Sequence, residues 1–116
     1  MITVSQTPEF QAWVKSVADP IAYDAIAIRT VRIASGLMGD VKAVGGKVSE
    51  LRIDVGQGYR LYCTKRGLAV ILLLCGGDKS TQAADIAKAQ KMVKDLDAQA
   101  KAAAATAKRG KGTKRK

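Results

Sequence analysis

Residues 48–82 read VSELRIDVGQGYRLYCTKRGLAVILLLCGGDKSTQ, and the fold turns on how this stretch divides. Glu50 to Val55 alternates, with Glu50, Arg52 and Asp54 on one face and Leu51, Ile53 and Val55 on the other. That period of two marks a half-buried strand. Gly56-Gln57-Gly58 then reverses the chain. Tyr59 to Lys65 alternates again, with Leu61 and Cys63 opposite Arg60 and Tyr62, before Lys65-Arg66-Gly67 makes a second turn. Leu68 to Cys75 is apolar throughout, the pattern of a central strand covered on both sides. The stretch therefore predicts an antiparallel meander in which Arg52, Arg60 and Tyr62 share a face, because paired residues lie on the same side of a sheet. Gly76-Gly77-Asp78-Lys79 leads on into a helix and sets Lys79 at the sheet's rim.

Toward the N-terminus, Asp40 to Val44 reads as a further strand that Gly45-Gly46 turns into Val48. Thr7-Pro8-Glu9 is a helix opening: Thr7 caps, Pro8 fits the first helical position, and Glu9 suits the positive end of the dipole. Phe10, Trp13, Val14 and Val17 then make an apolar stripe. Asp19-Pro20 starts a second helix that runs to about Ser35, where Gly36 stops it. The two are expected as a helical hairpin, with Arg29 and Arg32 on one flank of the second helix. Ile2 to Val4 is a candidate edge strand. Toward the C-terminus, Ser80 is a plausible cap for a long helix burying Ile86, Ala89, Val93, Leu96 and Ala100. Beyond about Gln99 the sequence turns to alanine and then KRGKGTKRK, which has nothing apolar to bury and is expected to be frayed or disordered.

The 116 residues suit one α+β (α/β) domain at 1–98 with a basic tail at 99–116. The net charge is +10, of which residues 101–116 supply seven cations and no acid. Cys63 and Cys75 lie in apolar settings on neighbouring strands, so buried thiols are expected rather than a bridge, and their spacing fits no metal site. The opening MITVSQTPEF has no basic segment followed by an apolar run, so no secretory signal is expected. Leu68 to Cys75 is too short to span a bilayer. A cytoplasmic protein without a membrane role is the resulting expectation. Gly76-Gly77 lacks the length of a phosphate-binding P-loop.

ELRIDVGQGYRLY (50–62) and VILLLCGGDKSTQAADI (70–86), preceded by Phe10, Trp13 and GLMGDVKAVGGKVSELRI (36–53), resemble the RelE/HigB-like toxins of bacterial toxin-antitoxin pairs, specifically the phage-related addiction-module killer group. The likeness covers residues 1–97 and leaves the tail outside. It implies two N-terminal helices on a twisted, mainly antiparallel four- to five-stranded sheet, a C-terminal helix, and a cognate antitoxin, expected as a small helix-turn-helix protein. Many such toxins cut messenger RNA in the ribosomal A site; ParE-like cousins on the same fold poison DNA gyrase instead, so fold alone does not settle function. An inactive nucleic-acid-binding relic is a third reading.

With no histidine in the chain, cleavage needs another acid-base pair. Attack of a 2′-hydroxyl on the adjacent phosphate requires proton removal, stabilisation of charge on phosphorus and protonation of the leaving oxygen. Arg60 and Arg52 suit the middle task, since a guanidinium is always charged and grips phosphate oxygens in a fork. By resemblance, Arg60 in GYRLY matches the arginine on which RelE-type cleavage depends, whereas no tyrosine stands at Gln82 to Asp85, where RelE carries one. Lys79 is the candidate acid, because a lysine among cations yields its proton more readily. Glu50 is the candidate base. Tyr62 is a candidate for stacking on a splayed base, and Arg29 and Arg32 for RNA or antitoxin contact. Lys108, Arg109, Lys111, Lys114, Arg115 and Lys116 would draw any polyanion. Neither a metal nor a cofactor is called for. Each candidate also has a plain structural alternative: Arg52 pairs with Glu50 or Asp54, Arg60 pairs with Glu50, Lys79 is merely exposed, and Tyr62 is packing.

Overall fold

The computed structural model describes residues 2–114, with side chains through residue 106. One sheet holds β1 (Thr3–Gln6), β2 (Val41–Gly45), β3 (Val48–Ile53), β4 (Tyr59–Lys65) and β5 (Val70–Asp78), in the spatial order β1-β5-β4-β3-β2. β2 to β5 form the antiparallel meander, and β1 pairs parallel to β5. Helices α1 (Pro8–Ser16) and α2 (Pro20–Ala34) precede the meander, and α3 (Gln82–Lys114) follows it through a short 3-10 turn at Lys79–Thr81. The mixed α/β architecture matches the expectation.

Local chemistry explains the helix boundaries. Thr7 Oγ1 accepts from the Phe10 amide at 3.0 Å, and Asp19 Oδ1 accepts from the Ile21 amide at 3.0 Å, so each helix starts on a cap followed by proline. Gly36, at φ +87°, ends the second in a conformation that side chains resist.

The sheet is covered on both faces. On one, Phe10, Ile26 and Ile33 of α1 and α2 pack on Leu51, Ile53, Leu61, Cys63, Ile71 and Leu73. On the other, Ala89 and Val93 of α3 pack on Val48, Tyr62, Leu74 and Cys75. At roughly 1.5–3 kcal/mol for each large apolar side chain removed from water, these two cores dominate the stabilisation. Cys63 and Cys75 fall in different cores as free, buried thiols; burial pushes each up to about 11, which suppresses the reactive thiolate near neutral pH.

Three expectations change. Leu68 is fully exposed and β5 begins at Val70, but it continues through Gly76, Gly77 and Asp78, because β4 pairs with those residues. Ser80, expected to cap the long helix, lies instead inside the 3-10 turn that precedes α3, and that turn is capped by Asp78, which accepts from the Ser80 amide at 2.8 Å. α3 continues past Gln99 through the alanine-rich stretch, where helix propensity is highest, and its last residue is Lys114; Ala100 is exposed rather than buried.

Asp97 of α3 ties the helix to two turns, through Lys47 at 3.0 Å and Arg66 at 2.6 Å. Arg66 first and Lys47 second hold its carboxyl below the usual range. A depressed folded-state pKa contributes stability above the unfolded value and loses it as pH falls through the folded one. Acid titration below about pH 4 is therefore expected to weaken the protein, and Asp97→Asn to remove part of that pH dependence. Superimposable acid-unfolding curves for the two proteins would show that the clamp contributes nothing.

Candidate anion-binding site

β3 and β4 pair with Arg52 directly opposite Arg60 and Glu50 opposite Tyr62, while Arg60 faces Gly77 of β5. The strand parity expected from the alternation therefore holds. Arg52, Arg60 and Lys79 line a single hollow of about 320 Å3, joined by Asp40, Asp54 and Gly58. Gly58, at φ +82°, makes the turn over which the Lys79 stem lies: a Cβ there would sit 3.7 Å from three of the lysine's carbons. The three predicted cations do converge, but two carboxylates share the hollow, so it is mixed in charge rather than purely cationic.

Arg60 is the deep member, with 8% of its surface exposed. Its Nε lies 3.5 Å from Glu50 Oε2, too long for a good hydrogen bond, and that enclosed nitrogen has no hydrogen-bond partner. With Nε shut in, the outer end of the guanidinium is the part left to line the hollow. Arg52 is about half exposed and pairs with Asp40 at 3.3 Å, where water and salt leave such a contact worth about 0–1 kcal/mol. Neither predicted partner of Arg52, Glu50 or Asp54, is its ion-pair partner.

Glu50 is not placed to act as a base on a substrate. It is 1% exposed, and its Oε2 accepts from Tyr62 Oη at 3.1 Å and from Gln82 Nε2 at 2.9 Å while facing Arg60. Tyr62 is likewise wholly enclosed, in the core beneath α3, so it cannot stack on a base. Burial and then the Glu50 charge push its hydroxyl well above the ordinary value, keeping it a donor to the carboxylate. Glu50 and Tyr62, expected to face substrate, instead join Gln82 in a buried network that holds Arg60 from behind. Gly77 makes room for the start of α3 there: a Cβ would run into the Asp85 carboxylate, which accepts from Thr81 Oγ1 at 2.6 Å.

Arg29 sits elsewhere. Its guanidinium donates to the Arg52 carbonyl at 2.8 Å and to the Met38 carbonyl at 3.5 Å, tying α2 to the end of β3, and it shares a separate hollow with Arg32. Lys108, Arg109, Lys111, Lys114, Arg115 and Lys116 lie outside the described side chains. Sequence reasoning missed Gln82 as a partner of Glu50, and Asp40 and Asp54 as lining groups. Only Asp54 left a signal, as a polar position two residues beyond Arg52 on the same face of the alternation. Among the described residues no helix is long and apolar enough to cross a membrane.

No protein-family model matches the chain. Over 95 residues it is 40% identical to an uncharacterized protein of Haemophilus influenzae, a match that takes in 82% of this chain and 96% of the relative. With that identity over nearly the whole of the relative, the chain belongs to the same family as the Haemophilus influenzae protein.

Proposed function

We propose that this chain is the toxin of a toxin-antitoxin pair and an endoribonuclease that cuts messenger RNA in the cytoplasm, with the ribosome presenting the substrate and a cognate helix-turn-helix antitoxin restraining it. The RelE/HigB-like resemblance suggests the class. The observation that carries the reading is Arg60: a guanidinium nine-tenths buried, backed by Glu50, and lining a hollow with Arg52 and Lys79. Burial lowers the local dielectric, so a phosphate there feels the charge more strongly than it would at an exposed arginine. In this reading Arg60 and Arg52 neutralise the charge that grows on phosphorus as the 2′-oxygen attacks. Lys79 protonates the departing 5′-oxygen. The base passes from Glu50 to Asp54, which lines the hollow and has no ion pair among the described residues, whereas Asp40 is engaged by Arg52. The basic tail adds salt-sensitive, sequence-blind attraction to RNA.

Arg60→Ala is a poor test, because it strands the Glu50 charge in the interior. Arg60→Lys keeps a cation over Glu50 but removes the fork. It is expected to retain a wild-type circular dichroism spectrum, to relieve growth arrest, and to cut messenger RNA about 100-fold more slowly or worse. A folded Arg60→Lys protein that arrests growth as wild type does would sink the assignment. Intact messages with accumulating double-strand DNA breaks would move the function to the ParE-like gyrase poison.

A further inference from the structure

α2 buries one side and leaves the other bare. Ala22, Ile26 and Ile33 are buried in the core against the sheet, whereas Ile21, Ile28 and Val31 are 69%, 51% and 68% exposed. Those three recur at i, i+7 and i+10, so they share one stripe on the outer face of the helix. A lone exposed apolar side chain is ordinary, but a row of them on one face marks a contact surface. Two charges lie on the same stripe: Asp24, four residues before Ile28, and Arg32, four residues after it. About 12 Å of helix separates them, so they do not meet within one chain. Neither is in an ion pair among the described residues. Read along the helix the face runs anion, isoleucine, cation; read backward it runs cation, isoleucine, anion.

We infer that this face docks on the same face of a second copy of the chain, α2 antiparallel to α2 about a two-fold axis beside Ile28. In an isologous contact each residue meets its counterpart twice, once from each side. The two Ile28 side chains then meet at the centre, and Ile21 and Val31 extend the apolar contact on either side. Each Asp24 stands level with the partner's Arg32, so one pair of residues yields two ion pairs across the interface. A second copy supplies the matching pattern by symmetry, whereas an unrelated helix has to carry it independently. The contact is a single helix pair about 22 Å long, at the small end of specific interfaces. A dissociation constant on the order of 10 µM is therefore expected, not a permanent dimer. The face contributes no residue to the Arg60 hollow, so this inference and the RNA-cleaving reading stand or fall separately.

Sedimentation of the full chain, over concentrations bracketing that value, is the test. About 0.15 M salt screens the repulsion between two chains of net charge +10. The wild type is expected to pass from monomer to dimer. Ile28→Glu sets two carboxylates face to face on the axis and should weaken the dimer at least about tenfold, while circular dichroism stays native because the site is exposed. Asp24→Arg alone and Arg32→Asp alone each place like charges opposite one another at both pairs, and each should lose the dimer to a similar extent. Mixed in equal amounts they should associate again, since the Asp24→Arg chain offers two cations where the Arg32→Asp chain offers two anions. A wild type that stays monomeric throughout, association untouched by Ile28→Glu, or natively folded single variants that fail to associate when mixed would each overturn the docking. A face that captures only a different protein, with the chain itself monomeric, overturns it as well.

Discussion

Glu50→Ala is expected to destabilise the protein by about 3–5 kcal/mol, because it leaves the Arg60 cation buried without its counter-charge. The loss is compounded at Tyr62 and Gln82, both of which donate to Glu50 Oε2. A buried donor stripped of its acceptor keeps its desolvation cost and loses its bond, about 1–3 kcal/mol. For a chain of this size the midpoint of thermal unfolding should fall by about 10 °C or more. Denaturant titration gives the free energy directly. The informative control is Glu50→Leu combined with Arg60→Met, which removes both charges and fills the space. Replacing a buried ion pair by packed apolar groups is often neutral or stabilising, so the double variant should recover the part of the loss that comes from the stranded Arg60 charge, while the Tyr62 and Gln82 donors stay without their acceptor and RNA cleavage is not restored. If Glu50→Ala unfolds within about 1 kcal/mol of wild type, the carboxylate is not holding Arg60.

The second large effect is expected at Gly76. This residue lies in β5 opposite Leu61, and the Trp13 ring lies directly over it: a Cβ would collide with Cδ2, Cε3 and Cζ3 of the indole. A rigid ring cannot flex aside as a lysine stem can, so Gly76→Ala must rotate Trp13 or lift α1 from the sheet. Trp13 also touches Phe10 and Tyr59, with centroids 5.9 Å and 6.4 Å away, so the displacement spreads to both. Forcing extra volume into a packed contact costs about 1–3 kcal/mol, and the upper end is expected here. Trp13 emission should shift to the red as the indole meets water. An unshifted emission maximum together with unchanged stability would mean that α1 is more loosely seated than the geometry indicates.

The antiparallel meander, the starts of α1 and α2 and the convergence of Arg52 with Arg60 were determined by the sequence alone, because their causes are local. Alternation at 50–55 and 59–65 sets side-chain parity, a three-residue turn joins the two runs, and parity then places the two arginines on one side. Thr7-Pro8 and Asp19-Pro20 start helices through bonds that span two or three residues. What only the tertiary structure decided is which part of that shared face is open. A polar alternation looks the same whether the face meets water or a helix that begins some thirty residues later. α3 covers Glu50 and Tyr62, and the edge beyond its first turn leaves Arg52 exposed and Arg60 in between. A buried carboxylate is tolerable only when partners surround it, and here β4 supplies Arg60 and Tyr62 while α3 supplies Gln82. Such a three-element enclosure leaves no periodic trace along the chain. It turns two residues read as substrate-facing into the support behind one that is.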